Sequence, residues 1–462
     1  MNPEEARAWL EANGVTTVRT EGVSPDGIVL GKHMNRAKFE RSLPLGPAIS
    51  DIAFAYDIGG GPYFGWWDDW RADCLGDIHQ RPDLRTLVPS PNRPGMAACI
   101  VDHVDVSGQP LPVCPRTVLT SVVERLAAHG LGARATFELE GMVFSETYQE
   151  ARAKGYRGLT PLGLPMPLGY TTQDAYRIAP FMDEVVRRLE GMGIPWEAWS
   201  SEAAPGQFEI NIEPADPVTA ADRAMRVRQV VREVAVDLGR SATFMARPHE
   251  GYGNGTHVHH SLYGSGPAAP QSAFYDADAP DGRSPLMLQW IGGLMATMPA
   301  AAAFLTPTVN SYRRLVDFAA APMAVSWAEE NKSVALRVVS RDSKLARVEH
   351  RVGAGDVNPY LALAAILAGG VVGIEEQLEP PPEMRIVAWG LPDRFAHLPR
   401  SIGAAADALE ADDRIRGILG APMVHHWVQT RRWEWIMFNT TGGDAEAEQV
   451  TDWELNRYFE VM

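Results

Sequence analysis

Hydrophobic and polar positions recur along the chain with two different periods. Segments with apolar residues at helical spacing are predicted helices: 3–13, 118–129, 174–192, 217–238 and 359–370. Shorter runs of strand-like character are predicted strands: 15–19, 27–30, 96–104, 133–140, 208–212, 242–246, 257–263, 335–340 and 347–351. Because helices and strands mix throughout, we expect an α+β fold with a large curved sheet in the second part of the chain.

Proline and glycine residues punctuate the chain between residues 82 and 116. Pro110, Pro112 and Pro115 close this stretch, just before an amphipathic segment begins. Such punctuation marks loops and linkers. We therefore predict a small mixed N-terminal domain of residues 1–111 and a larger domain of residues 112–462.

The composition is that of an ordinary globular protein. Of its 462 residues, 45% are hydrophobic and 22% are charged, which is enough to build a full core. The longest apolar stretches, 299–305 and 361–373, are shorter than the roughly 18 to 20 residues that cross a bilayer, so we expect buried helices and no membrane segment. The first residues do not resemble a secretory signal, and a cytoplasmic location is expected.

Charge and cysteine content narrow the classes of partner. The formal net charge of −16 disfavours a nucleic-acid partner, which would require clustered lysine and arginine. Cys74, Cys99 and Cys114 form neither a disulfide framework nor a zinc-binding pattern. We expect buried or half-buried free thiols.

Two carboxylates, Glu138 and Glu140, are two positions apart in a predicted strand and so point to the same face. Further polar motifs follow: Glu202 to Glu209 around a Pro-Gly turn, His257 and His259 after a glycine-rich turn, and Arg347 to Arg351 with Glu349 between the arginines. Each motif alone is compatible with a solvated strand face or a chance pair of histidines.

Together these motifs supply five glutamates, two histidines and several arginines on predicted strands. Carboxylate oxygens with a single imidazole suit Mg²⁺ or Mn²⁺ better than Zn²⁺ or copper. Divalent ions flanked by arginine and lysine are suited to phosphoryl transfer. Because no phosphate-binding glycine motif opens a helix, another kind of fold must hold the nucleotide.

In their order along the chain, these motifs resemble those of glutamine synthetase. Two further segments, Asn310-Ser311-Tyr312-Arg313-Arg314 and Asn358-Pro359-Tyr360-Leu361-Ala362, match signatures of that family. The resemblance runs from about Pro82 to at least Gly373. It implies an N-terminal β-grasp domain, a catalytic barrel of curved strands with helices, and a dodecamer with active sites between neighbouring subunits.

The resemblance also implies a role for each matching residue. Those matching the ligands of a metal ion beside glutamate are Glu140, Glu202 and Glu209, and those matching the ligands of an ion at the nucleotide phosphates are Glu138, His257 and Glu349. Matches to ATP-contacting positions are Glu197, His259, Ser261, Lys344 and Arg347. Matches to glutamate-binding positions are Gly253, Arg314 and Arg351, while Arg337 matches the cation at the transferring phosphoryl group.

Several positions depart from the family pattern. Ala320 replaces a glutamate on the flap that closes over the site and helps to bind ammonium, and Asp57 corresponds to the ammonium-binding aspartate of the N-terminal domain. Tyr252 and Lys332 replace an asparagine and an arginine. The tyrosine that is adenylylated in many bacterial members has no match.

The resemblance implies an ATP-dependent ligase that activates the γ-carboxylate of glutamate as γ-glutamyl phosphate and transfers it to an amine. Glu202 and Asp57 are the candidates for accepting the proton of the amine. Because Ala320 is small, we predict a short alkylamine such as ethanolamine as the acceptor. The alternatives are a polyamine such as putrescine, ammonia as in ordinary glutamine synthetase, or an inactive structural or regulatory homologue.

Overall fold

A computed structural model describes residues 1–62, 76–264, 272–316, 321–389, 396–445, 447 and 449–462. The helices are α1 (Pro3–Ala12), α2 (Arg36–Ser42), α3 (Pro115–Ala128), α4 (Tyr148–Ala153), α5 (Thr172–Gly191), α6 (Pro217–Asp237), α7 (Pro285–Leu305), α8 (Ser311–Arg314), α9 (Pro359–Glu375), α10 (Ile402–Ala411), α11 (Asp413–Leu419), α12 (Ala421–Thr440) and α13 (Asp452–Tyr458). The strands are β1 (Thr17–Val23), β2 (Val29–Leu30), β3 (His33–Asn35), β4 (Ala48–Ser50), β5 (Asp77–Pro82), β6 (Val88–Pro89), β7 (Met96–Val104), β8 (Leu131–Phe144), β9 (Trp196–Ser201), β10 (Gln207–Ile212), β11 (Ser241–Thr243), β12 (Thr256–Gly264), β13 (Trp327–Glu329), β14 (Leu336–Val339) and β15 (Arg347–His350). This mixture confirms the α+β prediction.

The first sheet is built from the N-terminal part of the chain. Its strands run in the order β2-β1-β7-β5-β4, while β3 also pairs with β1 and β6 with β7. The two long central strands, β1 and β7, are parallel, and the other pairings in this sheet are antiparallel.

The second sheet belongs to the larger part of the chain and follows the order β13-β14-β15-β12-β8-β10-β9, with β11 on β8. β8 is its longest strand and alternates between the two faces. Phe137 and Leu139 are buried, whereas Glu138 and Glu140 are only partly covered. The period of two therefore gives the sheet one apolar face, which α3 and α6 cover, and one polar face.

Two apolar helices, α7 and α9, form the centre of the helical layer. Their backbones approach so closely that a Cβ atom on Gly373 would lie 2.0 Å from the carbonyl oxygen of Gln289, and one on Gly293 would lie 2.2 Å from that of Gly369. Only glycine permits this approach. By length and composition α7 could cross a membrane, but 78% of its most apolar stretch is buried inside the protein. Both apolar stretches of the sequence thus lie in buried helices, as predicted.

The turn between β1 and β2 joins the first sheet to the larger part of the chain. The side-chain amide of Asn358, at the start of α9, donates to the carbonyl oxygens of Ser24 and Pro25, both at 3.0 Å. The next residue, Asp26, forms a buried ion pair with Arg431. These buried contacts hold the turn between α9 and α12.

Some predicted elements differ from the observed ones. The strand predicted over 27–30 is wrong at its start, because Gly27 belongs to a turn that a Gly27 N–H to Ser24 hydrogen bond closes, and only Val29–Leu30 is extended. The strands predicted over 242–246 and 335–340 are shorter in the structure. Helices α10 to α13 were not predicted. Cys99 and Cys114 are buried free thiols, as expected, and Cys74 lies outside the described residues.

Candidate active site

The polar face of the second sheet brings together residues that are far apart in the sequence. The strand register places three pairs opposite each other: His257 and Glu138, Glu209 and Glu140, and Glu349 and His259. These residues lie on the four adjacent strands β10, β8, β12 and β15. Side chains that are opposite on one face of neighbouring strands are close enough to interact, so the predicted motifs form a single cluster.

Glu138 lies between two imidazoles. Its carboxylate oxygens are 3.1 Å from Nδ1 of His257 and 2.8 Å from Nε2 of His259. Arg347 Nε donates to His259 Nδ1 at 3.2 Å, which leaves Nε2 of His259 to donate to Glu138. His257 Nε2 is buried and has no hydrogen-bond partner among the described residues. Burial raises the pKa of Glu138, but the two histidines lower it by more, so the pKa lies below its usual value.

Three further carboxylates, Glu140, Glu202 and Glu209, crowd the same place. Burial raises the pKa of Glu209, and the charges of Glu138, Glu140 and Glu202 raise it further. Burial and then Glu140 raise the pKa of Glu202, whose Oε1 atom is buried with no hydrogen-bond partner in the described chain. Carboxylates crowded in this way are unfavourable unless a cation lies between them.

The donor set fits hard divalent cations, because it combines carboxylate oxygens with an available imidazole nitrogen. Two groups have ligand atoms that all lie within 4.8 Å of one another: Glu138, His259 and Glu349, and Glu138, Glu209 and His257. The grouping differs from the family-based division, since it places His259 with Glu349 and His257 with Glu209. Glu138 belongs to both groups and is the centre of the cluster.

Two arginines contact the Glu349 carboxylate. Arg337 Nη1 donates to Glu349 at 2.8 Å, and Arg351 Nη1 donates to its other oxygen. Burial raises the pKa of Glu349, but Arg351 and the neighbouring histidines lower it by more, to about 2. Glu349 is therefore ionised over the whole range in which enzymes normally work.

A glycine loop places Arg314 beside the carboxylates. A Cβ atom on Gly255 would lie 2.7 Å from Arg314 Nη2 and 3.3 Å from Glu140 Oε2, so only glycine leaves this space open. A Cβ atom on Gly253 would lie 2.3 Å from the carbonyl oxygen of Ala246. Arg314 itself is buried, and its one hydrogen bond in the described chain is to the carbonyl oxygen of Val352 at 3.3 Å. The guanidinium thus has donors left for an anionic ligand.

A cavity of about 370 Å³ opens next to the cluster. This volume falls in the usual range for small-molecule sites. All five residues that the resemblance assigned to ATP line it: Glu197, His259, Ser261, Lys344 and Arg347. Glu138 lines it as well. A nucleotide bound in this cavity would have one end next to the carboxylate cluster.

Three residues near the cluster were missed by the sequence analysis. Tyr170 is mostly exposed and has positive φ, and burial and the nearby Glu202 raise its pKa. The side-chain amide of Gln207 donates to the carbonyl oxygen of Gly253 at 2.9 Å and to Asn254 at 3.1 Å. Gln207 and Asn254 therefore fix the glycine loop against β10. The Pro-Gly turn before Gln207 and the Gly-Tyr pair at Tyr170 were the available signals.

Asp57 and Ala320 are not brought to the cluster by the described structure. Asp57 is buried, accepts hydrogen bonds from Gly61 and Trp433, and is paired with Arg457 at 3.0 Å. No hydrogen bond or ion pair joins it to the carboxylates in the described ranges. Ala320 lies outside the described residues.

Crowding of the carboxylates predicts a pH-dependent stability of the metal-free protein. Because the pKa of Glu209 is raised above its usual 4.5, the folded protein retains a proton that the unfolded chain releases, and stability falls as pH rises above that value. Replacing Glu209 with glutamine removes this contribution to the pH dependence of stability, because glutamine does not titrate. We expect Glu209→Gln to be more stable than wild type by roughly 1 kcal/mol at about pH 9, and the difference to shrink toward about pH 5.

Urea unfolding of wild type and Glu209→Gln in EDTA measures this difference. The contributions of titrating groups that both proteins share cancel in the comparison. Adding Mg²⁺ should reverse the order, because the cation stabilises the complete carboxylate cluster of the wild type more than that of the variant. A difference that stays constant with pH would show that Glu209 does not carry the strain of the cluster.

Comparison with known proteins agrees with this geometry. Residues 112–458 match the family described as glutamine synthetase, catalytic domain. The chain is 34% identical over 461 residues to γ-glutamylethanolamide synthetase GlnA4 of Streptomyces coelicolor, covering 99% of this chain and 96% of that protein. It is 30% identical over 465 residues to a glutamate–isopropylamine ligase of a Pseudomonas species, covering 99% and 98%.

The fold has the same relatives. A solved structure described as a GmaS/ADP complex superposes with a TM-score of 0.81 at 26% identity, covering 97% of this chain and 98% of that one. The likeness extends over both sheets and confirms the glutamine synthetase-like fold. The chain therefore belongs to the glutamine synthetase family of ligases, whose members use ATP and divalent metal ions.

Proposed function

We propose that this enzyme joins the γ-carboxylate of glutamate to a short alkylamine such as ethanolamine at the expense of ATP. The observation that carries the proposal is the position of the carboxylate cluster between the nucleotide cavity and the buried Arg314 guanidinium. A nucleotide on one side and an anionic substrate on the other would meet at this cluster. The amine is the finer part of the proposal and rests on other observations.

The cluster would hold divalent ions through Glu138, Glu140, Glu202, Glu209, His257 and Glu349. When bound, such ions neutralise phosphate charge and orient the reacting oxygens. Arg314, with Gly253 and Arg351, would orient glutamate so that its γ-carboxylate faces the nucleotide. Arg337 would stabilise the charge that develops on the transferring phosphoryl group.

Two steps account for the reaction. A γ-carboxylate oxygen of glutamate attacks the γ-phosphorus of ATP, ADP leaves, and γ-glutamyl phosphate forms. The amine nitrogen then attacks the acyl carbon, phosphate leaves, and one proton must be accepted. Burial raises the pKa of Glu202, and a carboxylate with a raised pKa is a stronger base for this proton. Tyr170 lies near Glu202 and would help to orient its carboxylate.

The acceptor is inferred from the sequence and the relatives. Ala320 supplies only a methyl group where the family has a flap glutamate, so a negative charge is missing and volume is gained. Each CH₂ group of an alkylamine gains about 0.8 kcal/mol when it is buried, whereas ammonia gains nothing from the space. The relative named γ-glutamylethanolamide synthetase supports a short amine. Putrescine would need an anionic partner for its far ammonium, and Asp317 is the nearby candidate in the sequence.

An amine panel tests the proposal through glutamate-dependent phosphate release. We expect kcat/KM for ethanolamine to exceed that for ammonia by about tenfold, since its two CH₂ groups account for that ratio when both are buried. Ala320→Glu should shift the preference toward ammonia, and Ala319→Glu is the matched control. Higher kcat/KM for ammonia than for any alkylamine would identify an ordinary glutamine synthetase.

The same assay distinguishes an inactive homologue. A structural or regulatory protein would release no phosphate with any amine in Mg²⁺ or Mn²⁺. Against this alternative, His257 Nε2 and Glu202 Oε1 remain buried and available to ligands. A chain without catalytic function has no need to keep such groups inside a crowd of carboxylates.

We further propose a cytoplasmic dodecamer and the division into domains 1–111 and 112–462. The family match begins at residue 112, which supports the division. In a ring, Asp57 would serve the active site of a neighbouring copy. Light scattering tests the dodecamer, and the kinetics of Asp57→Asn test the shared site. A role of Asp57 at a shared site predicts loss of amine-dependent turnover without loss of assembly.

A further inference from the structure

Arg337 is held by a second carboxylate besides Glu349. Glu330 Oε2 accepts from Arg337 Nε at 2.9 Å and from Arg337 Nη2 at 2.5 Å. On the other side of the guanidinium, Nη1 donates to Glu349 at 2.8 Å. The planar group is therefore fixed from two directions, with its plane and rotation set by Glu330.

The backbone at Glu330 has an unusual conformation. Glu330 follows the last residue of β13, and its N–H donates to the carbonyl oxygen of Val338 at 3.0 Å, next to Arg337 on β14. Its φ is 47°, in the left-handed region that residues with a side chain rarely adopt. Such a conformation persists where the surroundings require it. Here it accompanies the return of the Glu330 side chain over the neighbouring strand to Arg337.

Arg337 keeps two N–H donors without an acceptor among the described residues. A guanidinium has five N–H donors, of which two go to Glu330 and one to Glu349. One N–H remains on each of Nη1 and Nη2. These two terminal nitrogens form the fork that binds an oxyanion in a bidentate manner, so the contact with Glu330 does not block a phosphoryl oxygen.

We propose that Glu330 is a positioning residue, which orients the Arg337 fork toward the phosphoryl group in transfer. This inference rests on the proposed function, because Arg337 receives its role there. Glu330 touches no reacting atom and acts through Arg337. Without it, the long arginine side chain would be held at one nitrogen alone and would rotate about that contact. Stabilisation of the transition state would fall, while binding of glutamate and nucleotide would remain.

Glu330→Gln and Glu330→Asp test the proposal, with Glu410→Gln as matched control because Glu410 forms a similarly exposed double contact with Arg432. We expect Glu330→Gln to lower kcat about tenfold and to change the KM for glutamate less than about twofold, since misplacement affects the transition state most. Glu330→Asp keeps the charge and should recover part of the loss. Thermal unfolding should show all three variants folded.

A binding measurement separates positioning from a structural role. ADP with aluminium fluoride mimics a phosphoryl group in transfer, and ADP alone does not. Glu330→Gln should weaken the first complex about tenfold and the second less than about twofold. Equal weakening of both, or no change in either, would overturn the proposal. Tighter binding in Glu330→Gln would also overturn it, by showing that Glu330 competes with the phosphate.

The double variant Glu330→Gln/Arg337→Ala completes the cycle. If Glu330 acts through Arg337, removing it in the Arg337→Ala background should cause no further loss of kcat. Additive losses would contradict the proposal. Wild-type activity in Arg337→Ala alone would instead refute the role of Arg337 in the proposed function, so the two failures are distinguishable.

Discussion

Replacing Glu138 with glutamine should lower kcat by about a thousandfold or more, because this carboxylate is common to both groups of residues that could hold a metal ion. Glutamine keeps the shape and can still accept one hydrogen bond. It loses the negative charge that faces the two imidazoles and that would attract a divalent ion beside the cavity proposed to bind the nucleotide. Both histidines would then lose the carboxylate that they contact most closely, and the two candidate metal groups would lose their shared ligand.

Turnover is measured by phosphate release, and Mn²⁺ binding is measured directly by calorimetry. We expect the Mn²⁺ affinity of Glu138→Gln to fall about tenfold or more, since removing one charged ligand weakens a site of this kind substantially. Glu213→Gln is the control, because Glu213 is exposed and directly follows β10 without joining the cluster. Unchanged Mn²⁺ affinity in Glu138→Gln would remove Glu138 from the metal site.

The cluster could be predicted from the sequence because strand periodicity decides which side chains share a face. Glu138 and Glu140 alternate with Phe137 and Leu139, so one face had to be apolar and the other anionic. The pairing of His257 with Glu138 depends on the strand register, which cannot be read from the residue pattern alone. The resemblance to the family supplied that information, and the structure brings the residues together.

Other features could not be predicted because they depend on tertiary contacts. Gln207 becomes important only where β10 meets the glycine loop, and a single glutamine in a strand gives no signal of it. Glu330 looks like an ordinary charged residue until β14 places Arg337 beside it. Helices α10 to α13 were not predicted, because they follow the last motif of the site, which lies at the start of α9.

Replacing Arg314 with lysine should lower kcat/KM for glutamate about a hundredfold, because a lysine cannot form the planar, bidentate contact that a carboxylate receives from a guanidinium. Burial lowers the pKa of Arg314, and Glu140 opposes this effect. No carboxylate within the described ranges forms an ion pair with it. A buried cation of this kind is unfavourable by itself, and the proposed anionic partner is the substrate.

The neighbouring residue provides a matched control. Arg313 makes two contacts of 3.3 Å with the Glu454 carboxylate and donates to the backbone of Asp444 at 2.8 Å. Its donors are therefore occupied by the protein, next to α13. Arg313→Lys should lower the free energy of unfolding by roughly 1 to 2 kcal/mol and should leave the KM for glutamate nearly unchanged.

The comparison of the two variants separates substrate binding from stability. For Arg314→Lys we expect the loss in glutamate kinetics with little change in ADP affinity, because Arg314 does not line the cavity proposed to bind the nucleotide. For Arg313→Lys we expect the opposite pattern, a loss in unfolding free energy with normal kinetics. Equal losses of kcat/KM in both variants would show that the buried guanidinium of Arg314 supports the fold of the glycine loop and does not receive glutamate.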